Sequence, residues 1–179
     1  MRDDIQEVLF SEAELADIVR RLGKRISEDY KGKNLFMVAA LKGAVVFMAD
    51  LMRAIDVPCA IDFLSVSSYG NGTSSSGEVR VLKDLDSKLE GKDLLVVEDI
   101  LDSGVTLSFL LKNLSARNPR SIKLCTLLDK PERRKVDIKP DYVGAQVPDK
   151  FIVGYGLDYA EKYRNLSYIG VLKPEIYQG

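Results

Sequence analysis

Glu98, Asp99 and Asp102 stand close together in the stretch 94–106, LLVVEDILDSGVT, and Ser103, Gly104 and Thr106 follow directly. A strand-to-helix turn made of small residues can aim several backbone N–H groups at one point. Serine and threonine hydroxyls add donors, and the helix dipole favours an anion there. That combination suits a phosphate monoester. The turn lacks both GxxxxGK[ST] and GxGxxG, so a nucleotide P-loop and a dinucleotide-binding turn are excluded. Two carboxylates beside a phosphate repel it unless something lies between them. Glu98 and Asp99 can accept hydrogen bonds from a vicinal diol, or meet a Mg²⁺ carried by the ligand. A phosphorylated ribose has both the diol and the phosphate. Taken alone, the stretch also fits an N-capped helix after a strand, a solvated strand end, or the metal-binding acids of a phospho-acceptor domain. The chain contains no histidine. A His-based triad, a His-ligated zinc site and a histidine proton shuttle are therefore excluded, and proton transfer falls to Asp, Glu, Lys, Tyr or Cys.

These residues need a strand behind them and a helix in front. Four apolar residues at 94–97 predict a strand buried on both faces, as in a parallel sheet. Leu107, Leu110, Leu111 and Leu114 mark the apolar face of a helix. The acids then sit at the carboxyl end of a central strand, the edge where open α/β sheets bind ligands. Upstream, Ser11-Glu12-Ala13-Glu14 fits a capping box, and Leu15, Ile18, Val19, Leu22 and Ile26 continue as a helical stripe. Residues 35–40 read as a buried strand and Lys42-Gly43 as its exit. Phe47, Met48, Leu51, Met52 and Ile55 form the face of the next helix, and residues 60–66 the next strand. Residues 68–77, SYGNGTSSSG, hold four serines and three glycines, with Tyr69 the one bulky side chain. That composition predicts a mobile surface loop. Further strands are predicted at 79–83, 121–128, 142–147, 151–155 and 168–172. The two strand–helix–strand units at 35–66 and 94–128 predict one domain over 1–179, an open parallel sheet with helices on both faces.

Composition narrows the class. A chain of 179 residues, 46% hydrophobic and 30% charged, can build a core without disulfide staples. Its 26 basic and 27 acidic side chains give a formal charge of -1, so no electrostatic footprint for nucleic acid is expected. The opening MRDDIQEVLF lacks the apolar segment of a signal peptide, and the longest apolar run, 35–41, is too short to span a bilayer. A cytoplasmic location with no membrane partner is expected. Cys59 and Cys125 have no CxxC or metal-ligand spacing and are expected to be buried, reduced thiols.

VVEDILDSGVT resembles the signature of phosphoribosyltransferases that use 5-phosphoribosyl 1-diphosphate, most of all the hypoxanthine-guanine phosphoribosyltransferase family. LKGA at 41–44, VSSYG at 66–70, LLDKPERR at 127–134 and VPDKFIVGYGLDYAEKYRNL at 147–166 extend the likeness in the family's order. The resemblance implies a type I phosphoribosyltransferase fold: an open, mainly parallel twisted α/β sheet flanked by helices, with a small hood from the terminal segments. It implies that Ser103, Gly104, Val105 and Thr106 hold the 5′-phosphate and that Glu98 and Asp99 face the ribose hydroxyls. Asp102 would be the catalytic base or acid handling the proton at purine N7. Lys42 and Gly43 would form the diphosphate loop, often with a non-proline cis peptide before the lysine, and Arg164 would contact diphosphate too. Lys130 would donate to the purine 6-oxo group, Phe151 would stack on the ring, and Ile100, Ile152 and Asp158 would complete the base site. Asp158 would help to bind Mg²⁺, with Glu98 and Asp99 as further candidates. Ser68 and Tyr69 would belong to a lid loop. The departures are small: Ser103 where many relatives have Thr, Ala44 in place of a second glycine, and Val105 contributing only its amide.

The activity implied is purine salvage: transfer of the phosphoribosyl group from phosphoribosyl diphosphate to hypoxanthine, and to guanine, by a homodimer or homotetramer. The rivals are a transferase for another base such as xanthine, and a nucleic-acid-binding regulator that keeps the fold. A basic surface would favour the regulator, and the near-zero net charge does not.

Overall fold

Alternation along the central strands decides which helices cover which face of the sheet. A computed structural model of the chain describes residues 1–68 and 79–178. In chain order its elements are β1 (Ile5–Phe10), α1 (Glu12–Asp29), β2 (Leu35–Leu41), α2 (Val45–Ala54), β3 (Cys59–Ser68), β4 (Val79–Lys83), β5 (Asp93–Leu101), α3 (Val105–Ser115), β6 (Ser121–Asp129), β7 (Tyr142–Gln146), β8 (Ile152–Val153), β9 (Ile169–Leu172) and α4 (Pro174–Tyr177). The main sheet runs β4-β3-β2-β5-β6-β7. Every pairing in it is parallel except β3 with β4. Met37, Ala39, Leu95, Val97, Cys125 and Leu127 pack with the stripes of α1 and α2. Phe36, Val38, Leu94, Val96 and Leu124 pack instead with Leu107, Leu110 and Leu114 of α3. Both faces are therefore covered, which is why these strands read as unbroken apolar runs.

Register then sets the carboxyl edge. Leu35 pairs with Asp93 and Ala39 with Val97, so the exit of β2 lies level with Glu98 and Asp99. Leu101 pairs with Asp129, and the Lys130 amide donates to the Leu101 carbonyl at 2.9 Å. Asp102 and Lys130 consequently leave neighbouring strands side by side. At the opposite edge buried Asp93 accepts from the Asn34 amide at 3.0 Å and the Ser121 hydroxyl at 2.9 Å. Its burial is thus compensated by hydrogen bonds.

A second sheet, β1-β9-β8, is antiparallel and forms the hood. β1 was not expected from its sequence. Register shifts between Ile5 and Glu7 and between Val8 and Phe10 break the two-residue period by which a strand is recognised. The strand expected over 151–155 ends at Val153 because Gly154, Tyr155 and Gly156 take φ of 100°, 52° and 102° and turn the chain. Ser68 closes β3, paired with Val79, rather than opening the loop. The rest of that predicted loop, Tyr69 included, lies outside the described residues. Cys125 is buried as expected, but Cys59 is only half-buried; β4 pairs with β3 no earlier than Ser65, leaving the start of β3 at the sheet edge. Among the described residues, no helix is long and apolar enough to cross a membrane.

The capping box at α1 is formed as the sequence predicts. The Ser11 hydroxyl accepts from the Glu14 amide at 3.3 Å, and the Glu14 carboxylate accepts from the Ser11 amide at 2.8 Å. Ser11→Ala is expected to lower unfolding free energy by about 1 kcal/mol, and Ser11→Gly by only a few tenths, about 0.3 kcal/mol. Urea denaturation curves of the two variants check this ordering.

Candidate active site

Glu98 and Asp99 follow one another near the end of β5 and line the same cavity. Asp99 turns toward the loop between β2 and α2. There a Cβ on Gly43 would stand 2.0 Å from Asp99 Oδ2, and on the loop's far side a Cβ on Gly156 would stand 2.2 Å from the Gly43 carbonyl oxygen. The loop is thus wedged between a carboxylate and a second backbone segment, and a side chain at position 43 has no room. The Leu41–Lys42 peptide preceding it is cis.

Both carboxyls titrate high. Burial first, and then the Asp99 charge, push Glu98 well above the usual carboxylate range. Burial also raises Asp99, opposed by hydrogen bonding from Glu98 and by the charge of Arg164. Two acids this close in a partly dry site favour one shared proton over two negative charges. Such a pair can both donate to and accept from neighbouring hydroxyls.

The turn after β5 is shaped for an anion. Gly104, the N-cap of α3, takes φ of 79°, and a Cβ there would meet Ile138 at 2.8 Å. The amides of Gly104, Thr106 and Leu107 have no hydrogen-bond acceptor among the described residues, while Val105 donates to Ser103 Oγ at 3.4 Å. Orphan N–H groups at a helix start are a ready anion site. This turn, Gly43 and the two carboxylates line a cavity of about 290 Å³. Val105 is exposed and lines no part of it.

A second cavity of about 440 Å³ adjoins it, lined by Lys130, Phe151, Ile152 and Asp158 among others. Ile100 and Asp102 line both cavities. Lys130 is buried, and its Nζ donates to the Lys150 carbonyl at 3.0 Å and stands 3.8 Å from Asp149. Phe151 stays 38% exposed. Its ring stacks with Tyr177 at 4.8 Å and meets Tyr159 edge-on at 5.5 Å.

Lys42 and Arg164 line neither cavity but flank the Gly43 loop. Arg164 Nη1 donates to the Gly156 carbonyl at 2.8 Å, and Nη2 lies 3.1 Å from Asp158. Arg164 sits among turns, not on a helix face. The sequence reading missed several residues here. Glu161 pairs with Lys42 at 2.9 Å and with Arg164 at 3.4 Å. Arg133 donates to Asp102 Oδ1 at 3.2 Å. Arg134 braces the edge by donating to the Asp102 carbonyl at 3.2 Å and the Ile138 carbonyl at 2.8 Å while pairing with Asp129. The paired arginines after Lys130-Pro131 were the available signal.

A parallel sheet with two adjoining cavities on its carboxyl edge, one lined by anion-ready amides and paired acids, defines a class. A phosphoribosyl transferase domain model matches residues 6–160. The hypoxanthine-guanine phosphoribosyltransferase of Bacillus subtilis is 55% identical over 178 residues, covering 99% of each chain. A crystal structure of a hypoxanthine phosphoribosyltransferase from Staphylococcus aureus superposes with a TM-score of 0.97 at 51% identity, covering 100% of this chain and 97% of that one. The bifunctional protein TilS/HprT of Listeria monocytogenes is 57% identical over 99% of this chain, which spans 27% of that protein's length. This chain belongs to the hypoxanthine-guanine phosphoribosyltransferase family, as its motifs imply.

Two expectations follow from the wedge and the acid pair. Gly43→Ala must displace Asp99 and is expected to cost about 1–3 kcal/mol of stability, as overpacking does; chemical denaturation checks it. A carboxyl whose folded-state pKa is raised stabilises fully below its unfolded value, and that contribution disappears as pH rises through the folded value. Glu98→Gln removes the penalty, so the variant should melt above the wild type at pH 8, with the gap closing toward pH 5. Each kcal/mol relieved is worth about 2–4 °C in Tm for a chain of this size, readable by differential scanning calorimetry.

Proposed function

We propose that this chain transfers the 5-phosphoribosyl group from phosphoribosyl diphosphate to hypoxanthine and guanine, giving the nucleoside monophosphate and diphosphate. The observation that carries the reading is the position of Asp102 and Ile100 on the shared wall of the two cavities. A sugar phosphate in one cavity and a planar base in the other would meet beside Asp102.

The family resemblance, together with the two cavities, supports these parts. The free amides of Gly104, Thr106 and Leu107, with the Ser103 and Thr106 hydroxyls, hold the 5′-phosphate. Val105 stands outside this cradle, its amide directed to Ser103 Oγ. Glu98 and Asp99, sharing a proton, take the ribose hydroxyls. Breaking the bond from C1 to diphosphate leaves an oxocarbenium-like sugar, and the departing charge needs preorganised donors and cations. The Gly43 loop, Lys42 and Arg164 supply them. Asp102 accepts the proton from purine N7, making the attacking nitrogen more nucleophilic. Lys130 donates to the 6-oxo group, Phe151 stacks on the ring, and Ile100, Ile152 and the main chain at Asp158 close the base site. The segment that follows Ser68, Tyr69 included, would shut out water, as the resemblance implies.

The donor set also fits a Mg²⁺ that arrives with the diphosphate. Asp158, and less directly Glu98 and Asp99, offer the carboxylate oxygens that a hard cation takes, and a cation would favour ionising the buried pair. Among the described residues no group of three or more potential ligands forms a cage, so Mg²⁺ would be held by one or two carboxylates together with the substrate. When bound it would neutralise the diphosphate. Residues 1–179 are read as one domain, working in the cytoplasm as a homodimer or homotetramer without a nucleic-acid or membrane partner.

An assay with phosphoribosyl diphosphate, Mg²⁺ and a panel of hypoxanthine, guanine and xanthine tests the reading. Turnover is expected with the first two bases, and Asp102→Asn should cut it by about 10²–10⁴-fold, the usual worth of a general base. Absence of turnover with every 6-oxopurine would overturn the assignment.

A further inference from the structure

We propose that Glu161 is a built-in stand-in for diphosphate: its carboxylate holds Lys42 and Arg164 in the free protein and competes with the incoming anion. The proposal rests on the reading of Lys42 and Arg164 as the diphosphate cations. Both cations face the same side chain, Lys42 Nζ at 2.9 Å from Oε2 and Arg164 Nη2 at 3.4 Å from Oε1. One carboxylate thus spans two cations drawn from segments more than a hundred residues apart.

The backbone around Glu161 is built to present it. Tyr159 and Lys162 exchange amide-to-carbonyl hydrogen bonds in both directions, at 3.2 and 3.0 Å, closing a two-residue turn over Ala160 and Glu161. Both central residues are left-handed, with φ of 50° and 63°. Such a turn favours Asn-Gly, so Ala-Glu adopts it against local preference. The Glu161 amide donates to Asp158 Oδ2 at 2.9 Å, and Asp158 in turn pairs with Arg164 at 3.1 Å. The tip of the turn is therefore tied to the arginine its carboxylate contacts.

The same pair is weak enough to yield. Lys42 and Glu161 side chains are 65% and 64% exposed, and an ion pair in water of that kind is readily exchanged for a more highly charged anion. A gate has one sign and a buttress the other. If Glu161 competes with diphosphate, removing its charge strengthens anion binding. If it merely props Lys42 in place, removing it weakens binding.

Isothermal titration calorimetry with inorganic diphosphate, at fixed Mg²⁺ and ionic strength, separates the two. Glu161→Gln is expected to bind diphosphate about two- to five-fold more tightly than wild type, the worth of an exposed pair. Glu161→Asp, which keeps the charge, should gain less. Affinity for the nucleoside monophosphate, which carries its phosphate at the other end of the site, should not change. In a Lys42→Met background the gain from Glu161→Gln should shrink. Weaker or unchanged diphosphate binding by Glu161→Gln, or an equal gain for both ligands, would overturn the proposal. If Lys42→Met and Arg164→Met both leave diphosphate affinity at the wild-type value, the underlying site reading fails as well. Weakened binding in those two with an unchanged Glu161→Gln sinks the gate alone.

Discussion

The approach of the Gly43 loop to Asp99 on one side and to Gly156 on the other is the contact on which the rest of the site hangs. Three segments from distant parts of the chain meet there, with the Asp99 carboxylate between the first two and no side chain between the loop and Gly156. The parallel register of β2 and β5 brings the first two together. The turn after β8 brings the third. Because the loop fills the space above Asp99, water is displaced from that carboxylate, and its burial raises its pKa. Packing and electrostatics are here two aspects of one geometry.

The charges around this wedge are arranged as an unfinished set. The acids are inside and short of counter-charge, while the cations are outside and held by other acids, Lys42 by Glu161 and Arg133 by Asp102. Each group is satisfied well enough to fold, and each would be better matched by a substrate carrying a diol, a diphosphate and a planar base. Sites that favour the ligand complex over the free protein characteristically give up some stability in this way. Arg134, with partners on both the β5 and β6 exits, keeps that edge in place.

What could be read from the sequence divides along physical lines. The buried runs at 35–40 and 94–97 and the stripe of α1 were legible because burial imposes a short period or a long apolar run on neighbouring residues. The turn at 103–106 was legible because the helix mouth needs small residues at fixed offsets. β1 was hidden by its two bulges, which scramble the period. Glu161, Arg133 and Arg134 were hidden for another reason. A charged side chain in a turn looks alike whether it faces solvent or a partner 119 positions away, as Lys42 is from Glu161. The roles of Lys42, Arg164 and Lys130 came from family resemblance and not from pattern, since each alone reads as an ordinary surface charge. Tyr177 was missed likewise, because its ring contact with Phe151 depends on the chain folding back after β9.

The hood has a consequence for how the molecule is made. β8, which carries Ile152 into the second cavity, is hydrogen-bonded to β9, and β9 is hydrogen-bonded to β1, pairing Leu172 with Ile5. Contacts across such a sequence separation close late, because the loop entropy must be met before they form. The turn after β5, by contrast, is closed by α3 and by the segment through Ile138, with no backbone hydrogen bond to the hood strands among the described residues. During synthesis the anion-ready amides after β5 can therefore be arranged before β8 is paired, so a nascent chain forms that turn first and the Ile152 wall last.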